Sequence, residues 1–196
     1  MKKSAIAILV FTLVLSILSL TSVNADAKVN YKKIYGKYLK KHPVETYDDL
    51  SYASGDWEGA FIYINKDNVP ELIINGSSCA ASCQLYTIKA GKVRKIDTAE
   101  GWAGGLRYVR KGSKYYTGGG RQNYYHEAWF TLKKGKAKKV ADSTHDAWEN
   151  SDYTWNESNV DYSTYQKNVN RLVGKSKYIE PHFKPFVDLG LVKYMR

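Results

Sequence analysis

Cysteine, histidine and acidic side chains are all scarce, and each shortage removes a class of chemistry. The only cysteines are Cys79 and Cys83, in INGSSCAASCQLY. Their C-x-x-x-C spacing is not the C-x-x-C of a redox pair, and a zinc site would need two more ligands, which no nearby His or second Cys pair supplies. The four histidines, His42, His126, His145 and His182, form neither H-E-x-x-H nor an i, i+4 pair, so the helical zinc-protease arrangement is excluded. There is no G-x-S-x-G elbow, no P-loop and no setting for a cysteine nucleophile. GWAGG and YTGGGRQ are glycine-rich, but an aromatic strand pattern follows the second, where a phosphate cradle wants a helix start. Asp and Glu number 19 against 30 Lys and Arg, a net charge of +11.

Only one long apolar run occurs. In MKKSAIAILVFTLVLSILSLTSVNADA, Lys2 and Lys3 precede a charge-free stretch from Ala5 to Leu20, and Val23 and Ala25 offer a small-residue cleavage site. These are the three parts of a secretory signal peptide. The expectation is a signal peptide at 1–25 and a single secreted domain at 26–196. An uncleaved anchor is the alternative, since about sixteen apolar residues approach the roughly twenty that span a bilayer. No cysteine follows the run to accept a lipid, so no stable membrane anchor is expected. Export would let a Cys79–Cys83 disulfide persist, and closing so small a loop contributes at most about 2 to 3 kcal/mol. Free thiols or a metal are the alternatives. Removing Lys2 and Lys3 leaves 28 basic residues against 19 acidic. That surplus points to anionic partners, such as wall polymers, headgroups or acidic glycans, rather than nucleic acid, unless the lysines are simply solvated.

What is abundant is β-strand texture. After a short amphipathic helix, with Val29, Ile34, Tyr35, Tyr38 and Leu39 on one side and Pro43 as its stop, runs of Ile, Val, Tyr, Thr and Phe begin at Ala60, punctuated by turn residues. LYTIKAGKVRKI (85–96) and WFTLKKGKAKKV (129–140) are two versions of one pattern. The match extends upstream, giving two copies of four short strands in about forty-five residues each. Two copies cannot close a propeller, which typically needs four to eight blades. The prediction is a mainly β (α+β) fold: a curved antiparallel meander of about eight strands from two four-stranded repeats, flanked by N- and C-terminal helices. A partial barrel and two packed sheets are the alternatives. The C-terminal helix is read from Ser163, Tyr165, Val169, Leu172 and Val173, with Gly174 as its cap.

Strand alternation sorts the aromatics. Phe130 and Leu132 share one face with Tyr124, His126 and Ala128, and the matching Tyr86 and Ile88 mark that face as core. Trp129 then lies on the other face with Tyr125 and Glu127, either covered by a terminal helix or exposed as a platform. The chain holds 17 Tyr and 5 Trp against 5 Phe, a bias suited to rings that are apolar on one side and wet on the other. Trp102, Tyr108, Tyr115, Arg121, Tyr125 and Trp129, gathered around the triple glycine, are the candidate binding residues. Tyr116 and Tyr124 lie in the same cluster. The same rings could instead roof a small core.

FIYINKDNVPELII (61–74) resembles a segment of small secreted proteins of Gram-positive bacteria, in which a strand meets D-x-N-x-D-G-x-P-E-L and then an aliphatic strand. That segment is similar to the calcium loops of integrin-like and FG-GAP-type β repeats. The resemblance implies that Asn65, Asp67 and Glu71 are oxygen ligands or turn formers. Tyr63 stands where the first Asp belongs and Asn68 replaces the Gly, whereas calcium takes six to eight oxygens with several carboxylates. Asx side chains also stabilise turns without an ion. No cofactor is therefore expected, with calcium the one to test.

The reading these features support is an extracellular binding module for cell-wall polymer or glycan, using the Tyr/Trp surface for stacking and lysine-rich turns for anionic groups. An extracellular protein partner, such as an enzyme to be inhibited, could use the same surface. The rival class is a small wall or glycan hydrolase, which would pair Glu127 with Asp142 or Asp146 at roughly 5 to 9.5 Å. His145 beside Asp142 and Asp146 is a second acid–base candidate.

Overall fold

In the computed structural model, the described residues are 29–42, 57–75, 83–96, 105–121, 123–146, 148–149 and 151–195. The chain divides into Met1–Asn30 and Tyr31–Arg196, and the fold is that of the second unit. Helix α1 (Tyr31–Lys41) leads into strands β1 (Glu58–Ile62), β2 (Glu71–Ile74), β3 (Gln84–Lys89) and β4 (Lys92–Ile96). Strands β5 (Gly105–Val109), β6 (Lys114–Arg121), β7 (Tyr124–Lys133) and β8 (Lys136–Asp146) follow. The short hairpin β9 (Thr154–Trp155) and β10 (Ser158–Asn159) precedes helix α2 (Tyr162–Val173), then β11 (Lys184–Pro185) and a 3-10 turn at Val192–Tyr194.

Among the described residues all strand pairings are antiparallel and the α-helices are two, so the protein is mainly β. The eight principal strands run as two meanders. Hydrogen bonds divide them between two sheets, β11-β1-β2-β3-β4 and β5-β6-β7-β8, where a single curved sheet is the expectation. The segments 85–96 and 129–140 fall at equivalent places, on the last hairpin of each sheet.

Period-two alternation builds the layers. In the first sheet, Ala60, Ile73, Leu85 and Ile96 form one cross-strand row, and Phe61, Leu72 and Tyr86 form the next, pointing oppositely. The Phe61 row packs with Tyr35 and Leu39 of α1 and with Phe186, Leu189 and Leu191. Tyr35 is fully buried and donates its hydroxyl to the Pro70 carbonyl at 2.9 Å. The Ala60 row packs against Leu106, Tyr115 and Leu132 of the second sheet. Phe130 joins this interior, stacked on Tyr115 at 4.9 Å, so the Phe130/Leu132 face is core, as alternation predicts.

The outer face of the second sheet is covered as well. The β9–β10 hairpin lies along β8, where Ser143 Oγ donates to the Thr154 carbonyl at 2.7 Å and Thr154 Oγ1 accepts from Thr144 N at 3.0 Å. Helix α2 begins with Asp161 accepting from Thr164 N and ends at Gly174, and Lys114 Nζ donates to the orphan carbonyl of Leu172 at 3.1 Å.

Candidate functional site

On that outer face, cross-strand register lines up Gly105, Gly118, Glu127 and Ser143. Two neighbouring positions without a Cβ leave a trough in the sheet, and Glu127 is next in the row. Arg107 and Tyr116 stand on one side and Tyr125 on the other. The two tyrosine hydroxyls meet over Gly118: a methyl group there would collide with the Tyr116 hydroxyl and lie 3.1 Å from that of Tyr125. Only glycine permits this convergence.

Glu127 is buried and accepts from Tyr116 at 2.7 Å and from Tyr165 of α2 at 2.5 Å. Burial comes first, followed by the charge of Glu127 at Tyr116 and the hydrogen bond to Glu127 at Tyr165, and together they push both phenols well above the ordinary tyrosine range. They stay protonated and act as donors. With its proton committed to Glu127, the Tyr116 oxygen is left as an acceptor.

The trough opens into a cavity of about 290 Å³ between β5 and the segment that crosses its edge, with Leu106 beside the glycines and Glu180, Pro181 and Phe183 as the far wall. Ile179 pairs with Tyr108 there, N to O at 2.8 Å and 3.0 Å. A more open cleft of about 580 Å³ shares Arg107 and Glu180 and adds Lys177 and Tyr178. Arg107 and Glu180 form an exposed ion pair at 3.0 Å.

The candidates named from sequence scatter. Tyr125 lies in the trough. Trp129, expected either covered or exposed as a platform, is 3 % exposed, packed on Trp155 at 5.1 Å and Tyr116 at 5.4 Å. Tyr115 is 1 % exposed and belongs to the interior between the sheets, and Tyr108 is half-buried beside it. Neither Trp129 nor Tyr115 can stack on a ligand. Trp102 lies outside the described residues, as do the side chain of Arg121, the cleavage site near Ala25 and Cys79. Cys83 is buried, with Sγ 3.7 Å from Asn75 Oδ1. Among the described residues, the large exposed aromatics are Tyr124, Trp148 and Tyr162.

Asn65, Asp67 and Glu71 are turn formers here. Glu71 accepts from Ile64 N at 2.9 Å and Asn65 Nδ2 at 2.7 Å, Asn65 Oδ1 accepts from Asp67 N, and Asp67 Oδ1 accepts from Val69 N. Asn68 holds the positive φ of 61° that the motif's glycine would take. Among the described residues, no group of three or more His, Cys, Asp or Glu side chains is placed to hold a metal.

The acid pairs read from sequence do not converge. Register places Glu127 with Ser143 and His145 on the outer face, and Asp142 and Asp146 on the opposite one. Asp142 pairs with Lys139. Asp146 caps a turn by accepting from Glu149 N and Trp148 N, which holds its carboxyl below the usual range. His145 is enclosed by Tyr125, Tyr153 and Tyr165 rings at 5.0 to 6.1 Å.

Gly105 and Gly118 are the site residues that sequence reasoning missed, while Tyr116 stands in the aromatic cluster but not among the candidate binding residues. Their signal is register: glycines thirteen residues apart become neighbours only once the β5–β6 hairpin is paired. Comparison with protein families, curated proteins and solved structures finds no match for this chain.

Proposed function

We propose that this is an exported binding module that takes one sugar unit of a cell-wall polymer or other glycan in the glycine-floored trough. The observation that carries this reading is the convergence of the Tyr116 and Tyr125 hydroxyls over Gly118, backed by a buried carboxylate. Polyhydroxyl ligands are recognised by donors and acceptors fixed beside aromatic faces, and pre-orientation lowers the entropy cost of binding. The cavity matches a single ring better than a drug-sized ligand, for which pockets run from about 300 to 1,000 Å³. Arg107 at the rim adds a cation for an acidic substituent.

The test is capture of isolated cell-wall material and purified polysaccharides by the full chain. Gly118→Ala displaces the Tyr116 hydroxyl from its place over the glycine and is expected to abolish capture. Tyr125→Phe keeps the ring and removes the hydroxyl, with an expected loss of about fivefold, the equivalent of one net hydrogen bond of about 1 kcal/mol. Wild-type capture by both variants, with normal melting, would remove the trough from the function.

A further inference from the structure

The two copies of the K-x-G-K pattern form hairpin turns of the same kind. Ala90 and Gly91 have φ of 50° and 72°, and Lys134 and Gly135 have 51° and 69°, so both turns hold two consecutive left-handed residues, as a type I′ hairpin requires. The geometry sets Lys89 directly opposite Lys92, and Lys133 directly opposite Lys136. Like charges directly opposite on adjacent strands are destabilising. The same unfavourable pair is thus present at the tip of both sheets, and a lysine rather than the favoured Asn or Gly occupies a left-handed position at Lys134.

The two turns also meet. A Cβ at Gly135 would lie 3.2 Å from Lys89 Cδ and 3.5 Å from Thr87 Cγ2, so the second turn rests on the first. Thr87 is opposite Arg94, which sets Arg94 on the same face of the sheet beside the junction. Neither segment, 84–96 or 129–140, contains an acidic residue. Among the described residues, the ion pairs are Arg107–Glu180 and Lys139–Asp142, and neither draws on the six cations Lys89, Lys92, Arg94, Lys133, Lys134 and Lys136.

We propose that these joined turns are a binding site for a linear, phosphate-bearing polymer, which lies across both hairpin tips and supplies the counter-charge that each Lys–Lys pair lacks. Ammonium groups are compact, strongly hydrated point charges suited to phosphate oxygens. The turns carry no aromatic ring for base stacking, so recognition follows charge spacing. This inference does not rest on the trough, which lies elsewhere on the second sheet.

The experiment is titration of the full chain with long-chain inorganic polyphosphate at several salt concentrations. Engagement of six cations should give a log–log salt slope of roughly −4 to −5, by analogy with the −0.7 to −0.9 per neutralised phosphate of nucleic acids. Replacing Lys89, Lys92 and Arg94 with Gln, or Lys133, Lys134 and Lys136 with Gln, should each weaken binding at least about tenfold and reduce the slope by about 2. Melting temperatures should hold or rise as the like-charge pairs are relieved. A control with Lys167, Lys175 and Lys177 changed to Gln has the same net charge and should bind nearly as wild type. The single changes Lys89→Gln and Lys134→Gln repeat the comparison should a triple variant fold poorly. Gly118→Ala should leave polyphosphate binding unchanged, so failure of the trough reading and failure of this one are distinguishable. Equal losses in the control set would reduce the effect to net charge and overturn the proposal. Preferential capture by phosphatidylglycerol vesicles over polyphosphate would overturn it in favour of a membrane.

Discussion

Glu71 has no exposed surface, and its carboxylate sits in the interior between the sheets, where Thr87 Oγ1 at 3.3 Å joins Ile64 N and Asn65 Nδ2 as donors. Burial outweighs these hydrogen bonds and pushes its pKa up to about 7. The unfolded chain ionises this group near 4.3, so between about pH 4.5 and 7 the native state binds more protons than the unfolded state. Stability contributed by the neutral form is complete below the unfolded pKa and is lost as pH rises through 7, by about 4 kcal/mol in all at about 1.36 kcal/mol per unit. Glu71→Gln, which cannot ionise, should lack this component. Urea midpoints of wild type and variant across pH 5 to 8 should therefore diverge, with wild type falling more steeply; parallel curves would show that Glu71 ionises normally. The resemblance groups Asn65, Asp67 and Glu71 in one segment, where Asn65 hydrogen-bonds both Glu71 and the Asp67 backbone. It could not show that Glu71 points into the interior, because that depends on a second sheet closing over it.

At the scale of elements, the deciding feature is the cover over the outer face of β6–β8. The β9–β10 hairpin brings Trp155 onto Trp129, and α2 brings Tyr165 onto Glu127 and within 4.7 Å of Tyr153. Trp129→Ala should accordingly destabilise the fold by about 3 to 5 kcal/mol, the range for a buried large aromatic. Trp148→Ala, at a ring 79 % exposed, should change it by no more than about 0.5 kcal/mol. Denaturant unfolding of the two variants separates a covered face from an open platform. Both helices and the two strand meanders are legible in the sequence, since each depends on periodicity or turn chemistry within a short window. Tyr35 and Leu39 facing the core, Gly174 capping α2 and the x-Gly turns at 90–91 and 134–135 are all local statements. What stayed hidden is non-local. Nothing in YTGGGRQ says that Gly118 will stand beside Gly105, and the polar look of DYTWNESNVDY conceals the two rings, Tyr153 and Trp155, that bury Trp129 and enclose His145.

For the whole molecule, the charge imbalance acts on stability and on binding with opposite signs. A net charge of +11 repels itself in the compact state, and the attractive ion pairs among the described residues are two, both partly or largely exposed. Such pairs contribute little, so screening removes more repulsion than attraction. Raising ionic strength from about 0.01 M to 1 M shortens the Debye length from about 30 Å to about 3 Å. The melting temperature should rise over that range, most at its low end, while affinity for a polyanion falls throughout. Measuring both on the same samples tests whether the lysines form one functional field or a scatter of solvated side chains. Neutralising the six turn cations should flatten both responses together, because the residues that repel each other in the free protein are those that a phosphate polymer would bridge. A melting temperature that drops with salt would mean that attraction dominates the folded state, and the Lys89–Lys92 and Lys133–Lys136 pairs would then need local counter-charges rather than an external partner.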